Sequence, residues 1–166
     1  MSNPRIAILM GSDSDFPRLE PCVATLKDFG ITPIVRVLSA HRTPAEACDF
    51  ASSARANGLE TIICAAGGAA HLAGVIAAHT TLPVIGIPLD NPPLGGLDAL
   101  LATVQMPGGV PVATVGVGRG GPINAALTAL RILGVSDKDM AAKLDEFVGT
   151  QHDRVLDKDA KLQDKV

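Results

Sequence analysis

Aromatic side chains are nearly absent from this sequence of 166 residues. They make up 2% of it, as four Phe with neither Trp nor Tyr. Proteins that stack nucleic-acid bases or sandwich a flavin ring depend on aromatic platforms, so both classes are disfavoured. The formal net charge of −3 also argues against a surface that binds nucleic acids or other polyanions.

Cysteine is scarce as well, with three residues at wide spacing: Cys22, Cys48 and Cys64. No C-x-x-C pair of the kind that binds metals occurs, and an odd number of cysteines fits a disulfide framework poorly. We therefore expect reduced, buried structural thiols and no metal site. The N-terminal segment lacks the pattern of a signal peptide, so the expected location is the cytoplasm.

Charged residues are missing from positions 61–89, a stretch of 29 residues that has to be tested as a membrane span. Two histidines, four glycines and two prolines divide this stretch into pieces that match a buried strand or a short helix in length. We therefore expect a strand-helix-strand unit with both faces covered, and no contact with a membrane. Five of the six lysines lie instead in residues 136–166.

Apolar strands alternate with helices over most of the chain. Predicted strands cover residues 5–10, 32–39, 61–66, 83–89 and 111–117, and predicted helices cover residues 16–29, 44–57, 71–80, 97–105 and 122–133. Pro17 and Pro21 suit the first turn of the first helix. This alternation predicts right-handed crossovers and a parallel five-stranded sheet with helices on both faces, which is a flavodoxin-like three-layer αβα sandwich.

The C-terminal segment predicts one more helix. Ser136, with Asp139 three residues later, resembles a capping box, and an amphipathic pattern follows it. We expect a catalytic domain over residues 1–135 and, as an extension of that domain, an amphipathic helix and charged tail over residues 136–166.

Two predicted helices, residues 71–80 and 122–133, are apolar on nearly all sides. A helix of this kind is buried on all sides, whereas the outer helices of a lone doubly wound domain meet water. Another copy of the chain is the simplest cover, so we expect an obligate homo-oligomer.

The loops after the first three predicted strands should meet, because the carboxyl ends of parallel strands share one edge of a sheet. These loops are residues 11–15, 40–43 and 67–71. Gly11 and Ser12 lead toward a helix N-terminus, where free N–H groups favour an anion. Arg42 in the second loop can add a two-pronged contact to a phosphate.

Three side chains near these loops are candidates for chemistry. Asp15 is either the N-cap of the first helix or a carboxylate that accepts ribose hydroxyls. His41 follows a strand end in a loop with no hydrophobic pattern, which favours a general acid–base role. His71 begins a helix and can line the same site, whereas His79 is interpreted as a structural histidine.

Residues 116–121 match G-x-G-x-x-G between a strand and a helix, the pattern of dinucleotide-binding loops. A dinucleotide site also needs a following strand that ends in an acidic residue, and an amphipathic helix follows here instead. We interpret these glycines as a close backbone approach that lines the shared crevice. The sequence contains neither a G-x-S-x-G nucleophile elbow nor a P-loop lysine.

Taken together, the segments GSDSD, SAHRTP and AGGAAHLAG resemble the class I 5-(carboxyamino)imidazole ribonucleotide mutase family of purine biosynthesis, the PurE catalytic subunit. VQMPGGVPV resembles a fourth segment of that family, so the likeness covers residues 5 to 133. Sibling enzymes that carboxylate aminoimidazole ribonucleotide directly typically carry Lys-Gly in place of Arg42-Thr43 and Ser-Asn near Ala69-Ala70. The sequence therefore favours the mutase.

The resemblance implies an octamer and a reaction without metal, ATP or other cofactor. A carboxylate moves from the exocyclic nitrogen to the neighbouring ring carbon and gives 4-carboxy-5-aminoimidazole ribonucleotide. On the same resemblance, Ser12 and Arg42 bind the phosphate end, Asp15 binds the ribose, His41 shuttles the proton, and residues 67–72 enclose the base and the CO2 in transit. The expected substrate-binding set is Gly11, Ser12, Asp15, Ser39, Ala40, Arg42, Gly67, Gly68, Ala69, His71 and Leu72.

Two other functions stay open at this point. The first is a direct carboxylase that consumes aminoimidazole ribonucleotide and CO2. The second is a noncatalytic module that binds a nucleotide phosphate on the same fold, in which His41 would only hydrogen-bond the ligand.

Overall fold

The computed structural model describes residues 5–165. Its strands are β1 (Ile6–Met10), β2 (Ile34–Val37), β3 (Thr61–Ala66), β4 (Val84–Pro88) and β5 (Ala113–Thr114). Its helices are α1 (Phe16–Asp28), α2 (Pro44–Ser53), α3 (Leu72–Ala78), α4 (Leu97–Val104), α5 (Gly120–Gly134) and α6 (Lys138–Gln163), and a 3₁₀ helix, Asp13–Asp15, precedes α1. The predicted alternation of strands and helices is confirmed.

The five strands form one parallel sheet in the order β2-β1-β3-β4-β5. This is the strand order of flavodoxin-like folds, with helices on both sides of the sheet, so the predicted fold class is confirmed. The strand order reverses between β1 and β3. In such sheets a ligand binds outside the carboxyl ends of the strands at this reversal.

The central strands carry the core. Every residue of β1 and of β4 is buried, as are the first five residues of β3. Strands covered on both faces need apolar side chains throughout, which explains the uncharged stretch of residues 61–89. Among residues 5–165, no helix is long and apolar enough to cross a membrane.

The helices approach the sheet closely because small residues lie at the contacts. Ala47 and Ala51 of α2 pack in one buried cluster with Ala7 and Leu9 of β1. At Gly86 in β4, an added Cβ would meet Cγ2 of Thr103, in α4, at 2.4 Å. The composition rich in Ala and Gly thus lets α4 lie directly on the sheet.

Two sequence-based expectations about small features are corrected. Pro21 lies inside α1 rather than in its first turn, while Pro17 occupies the first turn as predicted. Cys22 and Cys64 are buried free thiols as expected, whereas Cys48 is only half-buried. Burial raises the pKa of Cys22 to about 12 and also raises the pKa of Cys64, so both thiols stay protonated.

The chain divides into two compact units, Met1–Ala129 and Leu130–Val166. In the second unit, Asp137 is the N-cap of α6, and its carboxylate accepts the N–H of Met140 at 3.1 Å. The predicted cap at Ser136 is therefore wrong by one residue. Met140 and Leu144 are the buried residues of α6, and its later turns are exposed.

In the single chain, α3 and α5 carry exposed apolar residues: Ala78 of α3 is exposed, and Ile123 of α5 is 39% exposed. The expectation that another copy covers these two helices stays a prediction. The outer face of α4 is also apolar, with Leu97, Leu101 and Val104 about half exposed.

Candidate active site

A cavity of about 440 Å³ lies where the loops after β1, β2, β3 and β4 meet. All the predicted site residues except Gly68 line it. The lining residues are Gly11, Ser12, Ser14, Asp15, Ser39, Ala40, His41, Arg42, Ala66, Gly67, Ala69, His71, Leu72 and Asn91. Gly68 is the exception: it has a left-handed backbone, with φ +62, and a Cβ added there would meet no atom within 4 Å.

The loop after β1 is held by its own serines. Ser12 has an extended backbone, and its Oγ accepts the N–H of Ser14 at 3.3 Å and lies 2.8 Å from the Oγ of that residue. The N–H of Asp15 is bonded to the carbonyl of Ser12 at 3.2 Å. Two N–H groups near the start of α1 are therefore engaged within the loop.

Asp15 precedes α1, but its side chain makes no capping hydrogen bond. Asp15 thus occupies the N-cap position without capping α1 through its side chain, and it lines the cavity. Burial raises the pKa of this carboxyl group, against the lowering effects of Arg18, the Ser12 backbone and Arg42. The cavity thus holds a carboxylate whose charge is partly desolvated.

The loop after β2 is organised around Ser39, whose side chain is 9% exposed. Its Oγ accepts the N–H groups of His41 at 3.3 Å and of Arg42 at 3.2 Å. The Oγ1 of Thr43 accepts the N–H of Ser39 at 2.8 Å. These bonds fix the two residues that carry the loop's functional side chains.

Arg42 links two of the loops. Its Nη2 donates to the carbonyl of Gly11 at 2.6 Å, and its Nε lies 3.4 Å from the Oγ of Ser39. Because a guanidinium carries five N–H groups, others stay available for a ligand. The contact places a positive charge beside Ser12, where the sequence predicts a phosphate.

His41 and His71 come together at this site from different loops. The Nε2 of His41 lies 2.7 Å from the Nδ1 of His71, and the rings are nearly perpendicular, at 85°. A hydrogen bond of this kind needs one N–H donor and one free lone pair, so one proton lies between the rings. The pair can take a proton from a ligand and return it.

His79 lies outside this cavity. Its ring Nδ1 is 2.8 Å from the carbonyl of Val75, one helical turn earlier in the chain, which fits the predicted structural role. Within residues 5–165, no group of three or more His, Cys, Asp or Glu side chains is placed to hold a metal ion.

The glycine-rich segment of residues 116–121 does not line the cavity, so its predicted place there is wrong. Gly118 and Arg119 line a neighbouring cavity, also of about 440 Å³, together with Arg18 and Asp90. The reason is topological, because this segment follows β5, which lies three strands away from β1 in the sheet.

Three lining residues lie outside the predicted set, Ser14, Ala66 and Asn91, and Asn91 is the one that no predicted site loop contains and that carries an amide. It follows β4, between the predicted strand over residues 83–89 and the predicted helix over residues 97–105. The signal was available in principle, because β4 is the neighbour of β3 in this fold class, so a polar residue after β4 reaches the same edge. Arg18 donates a short hydrogen bond to the Oδ1 of Asn91.

Comparison with known proteins identifies relatives over nearly the whole chain. The model of the AIR carboxylase family matches residues 5–154. The N5-carboxyaminoimidazole ribonucleotide mutase of Mycobacterium tuberculosis is 51% identical over 160 residues, which cover 96% of this chain and 91% of that protein. The phosphoribosylaminoimidazole carboxylase of Saccharomyces cerevisiae is 48% identical over 163 residues, which cover 98% of this chain and 28% of that protein.

Solved structures give the same result for the fold. The crystal structure of Treponema denticola PurE has a TM-score of 0.87 and 30% sequence identity to this chain. The match covers 96% of this chain and 98% of that one.

Proposed function

Because the chain belongs to the AIR carboxylase family, we propose that it is an N5-carboxyaminoimidazole ribonucleotide mutase, an isomerase of purine biosynthesis. It moves a carboxylate from the exocyclic nitrogen of the substrate to the neighbouring ring carbon. The carboxylase from yeast is a weaker guide, since the matched segment is 28% of that protein, whereas it is 91% of the mutase from M. tuberculosis.

The observation that carries the proposed mechanism is the His41–His71 pair in the cavity. The reaction first breaks the bond between nitrogen and the carboxylate carbon, leaves the electron pair on nitrogen and releases CO2. The nitrogen takes a proton from the imidazolium of His41. The ring carbon then attacks CO2, and its own proton returns to His41, so that one group donates and later accepts.

The remaining lining residues have roles that fit the substrate's parts. Ser12 and Arg42 bind the phosphate end, and Asp15 accepts hydrogen bonds from the ribose. The loop of residues 67–72 encloses the base and holds CO2 between the two half-reactions. Gly67, Ala69 and Leu72 support this role, because they line that part of the cavity. Their small or apolar character offers water few hydrogen-bonding partners there.

The setting of the enzyme is part of the same proposal. The protein acts in the cytoplasm on a small ribonucleotide, as a homo-oligomer for which the resemblance implies eight copies. Residues 1–135 form the catalytic domain, and residues 136–166 extend it. The exposed apolar face of α4 supports assembly with further copies.

Replacement of His41 by Asn tests the proton shuttle. Asn retains hydrogen-bonding groups but cannot exchange a proton near neutral pH, so we expect turnover to fall by about 10²–10⁴-fold with nucleotide affinity changed only slightly. His79→Asn is the matched control, because His79 lies outside the cavity, and it should keep full turnover. Turnover that persists in His41→Asn would refute the shuttle.

Assays with each substrate alone distinguish the mutase from the direct carboxylase and from a noncatalytic binding module. The wild-type protein should convert the N-carboxylated nucleotide directly and should use aminoimidazole ribonucleotide with bicarbonate poorly. Efficient use of the second mixture at low bicarbonate would make the protein a carboxylase. Nucleotide binding without turnover of either substrate would leave a noncatalytic module.

A further inference from the structure

The side chain of Asn91 lies at the cavity in space that is free because Gly67 has no side chain. An added Cβ at Gly67 would lie 2.0 Å from Nδ2, 2.8 Å from Cγ and 3.4 Å from Oδ1 of Asn91. All three of these atoms belong to the same carboxamide, so the amide group of Asn91 lies directly over the glycine. A side chain at position 67 would displace it.

The contact with Arg18 fixes which end of the amide faces the cavity loop. A guanidinium can only donate hydrogen bonds, so the carbonyl oxygen of Asn91 must face Arg18, as the hydrogen bond to Oδ1 shows. Arg18 is itself held by Asp90, with Nε 3.6 Å from the carboxylate. The NH2 group of Asn91 is therefore directed to the Gly67 side.

This NH2 group has two donors and no acceptor within the part of the chain that the structure describes. It is not a buried orphan, since no buried side-chain nitrogen or oxygen lacks a partner among the described residues. Asn91 lines the same cavity as His41 and His71. A fixed donor pair that faces a ligand cavity is available to an acceptor on the ligand.

The order of the strands indicates which part of the ligand that acceptor belongs to. Ser12 and Arg42, proposed to hold the phosphate, follow β1 and β2 on one side of the strand reversal, whereas Asn91 follows β4 on the other. A nucleotide whose phosphate lies over β1 and β2 extends its base toward the loops after β3 and β4. The acceptor near Asn91 is therefore on the base.

We propose that Asn91 binds the carboxylate that migrates on the base, donating from its NH2 group to a carboxylate oxygen. This inference rests on the proposed function. An amide suits the task because it stabilises a carboxylate, and the oxygens of CO2, without exchanging protons with them. Arg18 acts as a positioning residue, because it orients the amide from outside the cavity.

The test compares two nucleotides that differ only by the carboxylate. Asn91→Asp keeps the size and shape of the side chain but replaces the donor NH2 by an anionic oxygen. We expect it to weaken binding of 4-carboxy-5-aminoimidazole ribonucleotide by about 10–100-fold, the cost of losing a hydrogen bond to a charged group. Binding of aminoimidazole ribonucleotide, which lacks the carboxylate, should change by less than about threefold. Isothermal calorimetry measures both.

Asn57→Asp is the matched control, because it makes the same exchange of an amide for a carboxylate at an exposed position outside the cavity, and it should leave the ratio of the two affinities unchanged. Equal weakening of both nucleotides by Asn91→Asp, or no weakening of either, would overturn the role of Asn91. Failure of the wild-type protein to bind either nucleotide would instead overturn the proposed function.

A double-mutant cycle with Gly67 checks the geometry independently. Gly67→Ala in the wild-type background should displace the amide and reduce affinity for the carboxylated nucleotide about as much as Asn91→Ala does. In the Asn91→Ala background the same Ala should cost little, because its Cβ then has room. Additive losses would show that the amide does not lie over Gly67 when the ligand binds.

Discussion

Asp15 combines a binding role with a cost in stability. Its carboxyl group is half-buried, and desolvation raises its pKa above the ordinary 3.8, although Arg18, the Ser12 backbone and Arg42 act in the opposite direction. The folded protein therefore holds this proton more tightly than the unfolded chain does. Protonated Asp15 therefore favours the folded state. This contribution to the free energy of unfolding is fully present below the ordinary pKa and is lost as the pH rises through the raised pKa.

Asp15→Asn should accordingly raise the melting temperature at pH 7, because the amide removes the cost of burying a charge. The gain should shrink as the pH falls through the raised pKa, and it should vanish below about pH 3.8, where Asp15 is protonated in both states. Thermal unfolding followed by circular dichroism across that range measures it. The same variant should lose affinity for the nucleotide, since the amide accepts ribose hydroxyls less well than a carboxylate.

Asp13→Asn serves as the control at pH 7 and at low pH, because Asp13 is exposed and lies two residues away on the same loop. If Asp15→Asn melted at a lower temperature than wild type at pH 7, the ionised carboxylate would stabilise the loop. The desolvation argument would then be wrong.

At the scale of elements, the start of α6 depends on one side chain. Asp137 accepts the N–H of Met140, whereas Ser136, the residue favoured by the sequence pattern, precedes the cap position. Removing a capping side chain typically costs about 1 kcal/mol. Asp137→Ala should therefore lower the free energy of unfolding by about that amount, and amide exchange should accelerate in the first turn of α6.

Ser136→Ala is the matched control, with a change expected within about 0.5 kcal/mol because the position is exposed and makes no cap. Denaturant titration distinguishes the two variants. A larger loss from Ser136→Ala than from Asp137→Ala would restore the capping box predicted from the sequence.

All five strands were predicted from the sequence, but the predicted bounds match the structure more closely for the central strands than for the edge strands. The predicted bounds of β3 agree with the structure, because β3 pairs on both sides with β1 and β4 and its apolar pattern is decided by burial alone. The predicted strand over residues 111–117 contracts to two residues in β5. β5 pairs on one side, with β4, and Pro111 has no N–H to donate. The backbone of this segment therefore forms few ladder hydrogen bonds, although its sequence is typical of a strand.

The candidate site was also predictable only in part. The parallel-sheet rule was enough to predict that the loops after β1, β2 and β3 meet, and their residues line one cavity. Two contacts could not be predicted, those between His41 and His71 and between Asn91 and Gly67. Both join loops far apart in sequence, and each depends on side-chain orientations that no local pattern specifies.

On the scale of the whole molecule, the outer face of α4 leaves apolar side chains exposed in one chain. Leu97, Leu101 and Val104 lie on one side of α4, at positions i, i+4 and i+7, and are 55%, 46% and 51% exposed. The opposite side of α4 buries Ala99 and Thr103. Leu94, just before the helix, is 58% exposed as well. A contiguous apolar surface of this kind is typical of an interface between subunits.

If α4 mediates the proposed assembly, charge on its outer face should prevent it. Leu101→Glu would place a carboxylate in an apolar interface with no partner, a change that costs several kcal/mol when the charge is buried. We expect wild-type protein to sediment as a homo-oligomer at micromolar concentration, and the variant to give smaller species that include the 17.0 kDa chain. Val135→Glu is the control, because Val135 is 88% exposed outside this face, and it should sediment like wild type. A stable wild-type monomer would contradict the oligomer itself, whereas an intact Leu101→Glu oligomer would move the interface away from α4.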